Sequence, residues 1–200
     1  DIWCPAIELL DRFGDEILPF AKQNGKETWY YDASGRARTL SCLGLFRWRF
    51  WHAWNLGLTG VGWWTYKYGN YLWDGFNPND DYFSHVYDAQ DAIITSKRWE
   101  AAREGIEDYE ILFLLKELIR QAEDAGYSSD TLNDARQILS KTPQSVENTL
   151  AAVGRRLPLT TDSVPQYEAA TESIDSARAQ ILSACLKLKG ELSEQNQTGH

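Results

Sequence analysis

Methionine is absent from these 200 residues, cysteine appears three times, and no tryptophan follows Trp99. Each shortage excludes something. Cys4, Cys42 and Cys185 are odd in number and far apart, which rules out a disulfide framework and a Cys-x-x-Cys metal motif; at most one disulfide can form. No apolar run approaches the roughly 18 residues that a membrane-spanning helix needs, and the first residues lack the basic-then-apolar pattern of an export signal. The start at Asp1 and the missing methionine lead us to expect a processed product or a fragment of a longer polypeptide. Lysine and arginine number 20, split evenly about residue 100, against 29 aspartates and glutamates, for a net charge of −9. No basic stripe therefore points to nucleic acid or to an anionic membrane. An acidic balance fits a neutral or cationic ligand, and simple solubility equally well.

What is present is apolar and aromatic. Hydrophobic residues make up 43% and aromatics 13%, enough for a packed core in one ordinary domain or a piece of a larger one. All nine tryptophans lie between Trp3 and Trp99, so an aromatic-rich half precedes a Trp-free half. Flat aromatic faces pack cores, and the same faces stack on the C–H faces of sugar rings.

Residues 1–6 read as a short strand stopped by Pro5. Apolar positions at mixed helical spacing predict a helix over about 7–22, and Asn24-Gly25 then turns the chain. Thr28–Asp32 is a second strand. A helix over 40–56 follows, with Gly57 as its stop. Residues 60–66 form a third strand, whose glycines allow close backbone approach. The stretch 67–95 lacks periodicity, as functional loops do. Ser96 is a suitable N-cap for a helix over 97–124, ended by Gly126. Further amphipathic helices are predicted near 129–140, 144–154 and 165–190, separated by Pro143, Pro158 and Pro165, before a polar, frayed end that holds the sequon Asn196-Gln197-Thr198.

Alternating strands and helices imply a parallel sheet with helical crossovers. Three strands cannot close a barrel. The pattern alone slightly favours a small open sheet over the last three strands of a (β/α)8 barrel.

Two runs tip the balance. RWRFWHAWNLGLTGVGWWTY at 47–66 and SKRWEAAREGIEDYE at 96–110, with Trp29-Tyr30-Tyr31 ending the preceding strand, resemble the C-terminal catalytic region of glycoside hydrolase family 123, also called domain of unknown function 4091. The resemblance covers about residues 1–120. It implies an α/β fold forming the C-terminal portion of a (β/α)8 TIM-type barrel, with about three parallel strands, followed by a helical tail. The expected organisation is barrel over 1–126, helical extension over 127–190 and polar tail over 191–200. The resemblance also implies hydrolysis of β-linked N-acetylhexosaminides, N-acetylgalactosamine foremost. In that substrate-assisted scheme the sugar's own acetamido oxygen attacks the anomeric carbon, a departure from the usual pair of protein carboxylates. The Asp-Glu pair that orients the acetamido group and donates the proton lies on an earlier strand, so no catalytic residue is expected here and this chain alone should be inactive. Neither cofactor nor metal is implied. The partners are an N-acetylhexosamine-containing glycan and the rest of the parent polypeptide, and glycan-degrading relatives point to secretion or the periplasm. The alternative is a non-catalytic carbohydrate-binding or structural α/β domain.

The carboxylate pairs in the chain do not look like acids. Glu107-Asp108 lies two turns into a predicted helix, whereas barrel chemistry occurs at strand C-terminal ends; with Arg103 it reads as a structural network. Asp15-Glu16 reads as a solvated helix face, and Asp80-Asp81 falls in the long loop. Substrate-binding candidates sit at strand ends. Trp64 and Tyr66 share a face by alternation, with Gly62 beneath and Trp63 toward the helices, although a frame shift of one swaps these roles. Tyr30 and Asp32 share one face, Trp29 and Tyr31 the other; Asp32 is placed to accept hydrogen bonds from sugar hydroxyls. Trp73 and Asp74 in the long loop are placed to close over the site. Arg47 and Arg49 read as stacked or ion-paired supports, His52 as a helix histidine with a partner, and His85 as a loop residue.

Overall fold

A computed structural model describes residues 1–32, 43–63, 66–67, 85–153 and 164–198. The first strand, β1 (Ile2–Trp3), leads into helix α1 (Ile7–Gln23), which bends at Phe13 and continues through Pro19. Strand β2 (Glu27–Asp32), helix α2 (Leu43–Leu56) and strand β3 (Gly60–Trp63) follow. The chain is therefore α/β, and mostly helical.

The strands are parallel and lie in chain order, β1-β2-β3. Ile2 pairs with Glu27, Trp29 with Gly60 and Asp32 with Trp63. A right-handed crossover repeated in one direction puts successive helices on the same face of a sheet. That face carries Tyr30 and Trp63. Tyr30 is buried in one core with Ile7 and Leu10 of α1 and Trp48 of α2, and the Trp63 ring packs on Phe46 and Phe50 of α2. By strand alternation the other face carries Ile2, Trp29 and Tyr31. A Cβ on Gly60 would lie 2.3 Å from the Trp29 ring, and one on Gly62 would lie 3.3 Å from Tyr31 Cβ. Glycine at 60 lets the Trp29 ring lie across β3, and glycine at 62 eases a tight approach to Tyr31. Ile2 remains 49% exposed and Tyr31 40%.

Helix α2 has no polar face. Phe46, Trp48, Phe50, Trp51 and Ala53 are buried, and so are Arg47, Arg49 and His52 between them. A helix buried all round is a central one. It touches β3 and the three later helices: α3 (Lys97–Asp124), α4 (Asp130–Val153) and α5 (Val164–Thr198). Helices α2 and α3 approach closely because Gly105 has no side chain; a Cβ there would lie 2.2 Å from the Phe50 ring.

The anticipated boundaries hold for α1, α3 and the strand order. Ser96 caps α3 by accepting from the N–H groups of Arg98 and Trp99. Gly57 and Gly126 take positive φ angles of 69° and 68° just past α2 and α3, the left-handed conformation that ends helices. Three features differ. The stretch expected to be irregular contains a hairpin, β4 (Val86–Ala89) and β5 (Ala92–Thr95). Pro143 sits inside α4 rather than between two helices. It removes one backbone donor, but Leu132, Ala135 and Val146 are buried on both sides of it, and packing holds the helix continuous. Helix α5 starts with Pro165 in its first turn, where proline is tolerated, and runs to Thr198, through the stretch expected to be a polar tail.

Candidate functional site

The C-terminal ends of β2 and β3 are where a parallel sheet presents its ligand-binding side chains. There Asp32 and Arg49, both buried, form an ion pair with Nη2 2.5 Å from Oδ2. The Arg49 guanidinium lies 4.6 Å from the Phe46 ring centroid and 6.0 Å from that of Trp63, within cation–π range. Tyr30 donates its hydroxyl proton to the Arg49 carbonyl at 2.9 Å. Burial drives the Tyr30 pKa far above its ordinary value; the Arg49 charge opposes this, while Asp32 and Glu147 add to it. Tyr30 is thus a neutral, fixed hydrogen-bond donor.

His85 completes an aromatic box, its ring 5.2 Å from both Phe46 and Trp63. The Trp63 indole nitrogen is buried and has no hydrogen-bond partner among the described residues. The His85 and Val86 N–H groups both donate to the Tyr66 carbonyl, at 2.9 and 3.2 Å, so the start of the hairpin fixes the backbone just after β3. Tyr66 itself is 54% exposed, and its ring meets Trp99 edge-on at 5.8 Å. Arg98, one residue earlier on α3, is buried and donates to the Tyr87 hydroxyl at 3.5 Å.

The sequence-derived candidates therefore separate by layer. Tyr30, Asp32 and Trp63 lie between sheet and helices. Tyr31 and Tyr66 present accessible rings. Trp64, Trp73 and Asp74 lie outside the described residues, as do Asp80 and Asp81. Sequence reasoning did not place Arg49, His85 or Trp99 at this end of the sheet. Arg49 had one available signal, a basic residue in an otherwise apolar helix. His85 and Trp99 had none, because they arrive from the far side of a long connection.

Further titratable groups lie in the helical layer. Asp15 and Glu16 are exposed on α1. Asp108 is buried and accepts from Arg47, Trp51 and Arg178, while Glu107 meets Arg103 and Arg178. His52 Nδ1 lies 3.1 Å from Glu147 on α4, which also accepts from the Trp48 indole. Cys4 and Cys185 are free thiols. Among the described residues, no group of three or more histidines, cysteines or acids is placed to hold a metal ion, and no helix is long and apolar enough to cross a membrane.

No family model matches the chain, and no curated protein matches it. The likeness to glycoside hydrolase family 123 rests on the residues quoted above.

Proposed function

We propose that this chain is the sugar-binding, C-terminal part of a (β/α)8-barrel glycosidase. Its substrates are β-linked N-acetylhexosaminides, N-acetylgalactosamine foremost. The Asp-Glu pair that assists the acetamido group and donates the proton belongs to another part of the barrel. The observation that carries this reading is the one-sided sheet. Doubly wound sheets reverse strand order and cover both faces with helices, and all-parallel sheets are buried on both faces. Among the described residues the order runs 1-2-3, α1 and α2 pack on one face, and Ile2, Trp29 and Tyr31 lie on the other. That order suits consecutive units of a barrel wall, whose inner face other strands would complete.

The chain's own contribution is binding. Tyr31 and Tyr66 offer rings to the C–H face of a sugar, set on a frame that the Asp32–Arg49 pair and the buried Tyr30 hold rigid. One observation favours the alternative, a non-catalytic carbohydrate-binding or structural domain. Asp32 is committed to Arg49, and the described Asp-Glu neighbours lie on helices.

Two measurements decide between these. The natural gene product that contains this chain is assayed on aryl β-N-acetylhexosaminides, and the 200-residue chain is titrated calorimetrically with N-acetylgalactosamine. We expect turnover in the first and weak binding in the second, reduced by Tyr31→Ala. Binding without turnover establishes the non-catalytic module. Neither binding nor turnover leaves a structural domain.

A further inference from the structure

Two half-exposed aromatic side chains meet at right angles beside the hairpin. Tyr66 is 54% exposed and Trp99 37%, their ring centroids are 5.8 Å apart, and their planes are inclined by 75°. Each hangs from a fixed backbone. The Tyr66 carbonyl accepts two N–H groups from the start of β4, and the Trp99 N–H donates to the Ser96 hydroxyl at 3.3 Å in the capped first turn of α3. The corner therefore loses little freedom when something packs into it. Of its charged neighbours in the chain, Lys67 is paired with Asp88 and Glu100 with Arg103, Arg98 is buried and donates to the Tyr87 hydroxyl, and Lys97 is exposed to solvent. A preorganised corner with two apolar faces and hydrogen-bonding groups around it suits a ligand that has an apolar face and a polar rim.

We propose that Tyr66 and Trp99 form an outer stacking subsite for a second pyranose ring of the glycan, so that the site takes an extended saccharide rather than a lone terminal sugar. This rests on the glycan-binding reading above and adds to it the length of the ligand. The first turn of α3 follows the loop after β3, so Trp99 stands at the same end of the sheet as Tyr66 and the strand-end site.

The test is calorimetric titration of the full chain with N-acetylgalactosamine and with a β-linked disaccharide containing it, for wild type, Trp99→Ala, Trp99→Phe and Tyr66→Ala. Wild type should bind the disaccharide about ten-fold more tightly than the monosaccharide, the worth of one good aromatic stacking contact. Trp99→Ala should abolish most of that preference while weakening the monosaccharide less, and Trp99→Phe should keep most of it. Tyr66→Ala should weaken both sugars and also reduce the preference, so the result does not depend on one variant. If both alanine variants keep the preference, the subsite is wrong and the glycan reading stands. If wild type binds neither sugar, the glycan reading falls, and the subsite with it.

Discussion

The Asp108 side chain has no solvent exposure, yet it carries a charge that four donors share. Arg47 reaches it with Nε at 2.5 Å and Nη2 at 3.0 Å, the Trp51 indole donates at 2.9 Å, and Arg178 donates at 3.2 Å. Burial alone disfavours the charged form of Arg47, but the hydrogen bonds and attraction of Asp108, and then of Asp175, outweigh it and hold the guanidinium pKa above its ordinary value. Removing one partner of a buried pair strands the other, which typically costs about 3–5 kcal/mol. Asp108→Ala is therefore expected to lower the free energy of unfolding by about 3 kcal/mol or more, measured from urea denaturation midpoints. A loss below about 1 kcal/mol would show that Asp175 and Glu104 suffice to compensate Arg47, and would sink this account. Adjacent helical residues point to different sides, since only positions three or four apart share a face. Glu107 accordingly turns outward to Arg103 and Arg178 while Asp108 turns in, and so a pair that resembles catalytic carboxylates by spacing is separated by the helix itself.

At the scale of elements, α2 joins the layers through its buried basic side chains. Arg49 meets Asp32 of β2, Arg47 meets Asp108 of α3, and His52 meets Glu147 of α4. The far end of α5 has its own clasp. Glu191 accepts hydrogen bonds from the hydroxyls of Thr131, Tyr127 and Ser129, groups at the α3–α4 turn and the start of α4. The bonds from Thr131 and Tyr127 lower the Glu191 pKa from its ordinary 4.5. A carboxylate with a depressed folded pKa stabilises the fold fully above its unfolded value, and that contribution disappears as the pH falls through the folded value. Amide protection factors in the last turns of α5, which divide out the intrinsic pH dependence of exchange, should therefore fall below about pH 4.5 in the wild type. In Glu191→Gln protection should already be lower at neutral pH, with little further change on acidification. Identical pH profiles for the two proteins would show that the clasp contributes nothing. Elements with local punctuation were legible in the sequence: Ser96 starts α3, and Gly57 and Gly126 end their helices through a backbone conformation that glycine adopts freely. Elements decided by distant contacts were not. The β4–β5 turn, Gln90-Asp91, lacks the Asn-Gly or Asp-Gly signature of tight hairpins, Pro143 is overridden by packing, and the polar end of α5 is held by a glutamate whose partners lie some 60 residues earlier. The same limit applies to the site: alternation correctly separates Tyr30 and Asp32 from Tyr31, but the salt bridge that commits Asp32 depends on how α2 crosses the sheet.

On the scale of the whole molecule, the two sheet faces have opposite environments. One is sealed by α1 and α2. The other carries Ile2, Trp29 and Tyr31 in neighbouring rows, with the Trp29 indole donating to Glu27 and lying over Gly60. Glu27 also accepts from the Thr59 hydroxyl at 2.7 Å, so the Trp29 ring is fixed in place. All-parallel sheets are ordinarily covered on both faces, yet Ile2 and Tyr31 are exposed on this one. If it is the inner wall of a barrel, the 200-residue chain alone should offer it to any apolar probe. We expect the folded chain to bind anilinonaphthalene sulfonate with enhanced, blue-shifted emission, and to self-associate at micromolar concentration in sedimentation velocity. A double variant, Ile2→Lys with Tyr31→Lys, places a charge in each of two rows and should reduce both signals severalfold while leaving the far-ultraviolet circular dichroism unchanged, because neither side chain contributes to the sealed core. A wild-type chain that stays monomeric and dye-free would mean that the face is covered from within the chain, and the barrel-wall reading would lose its main support.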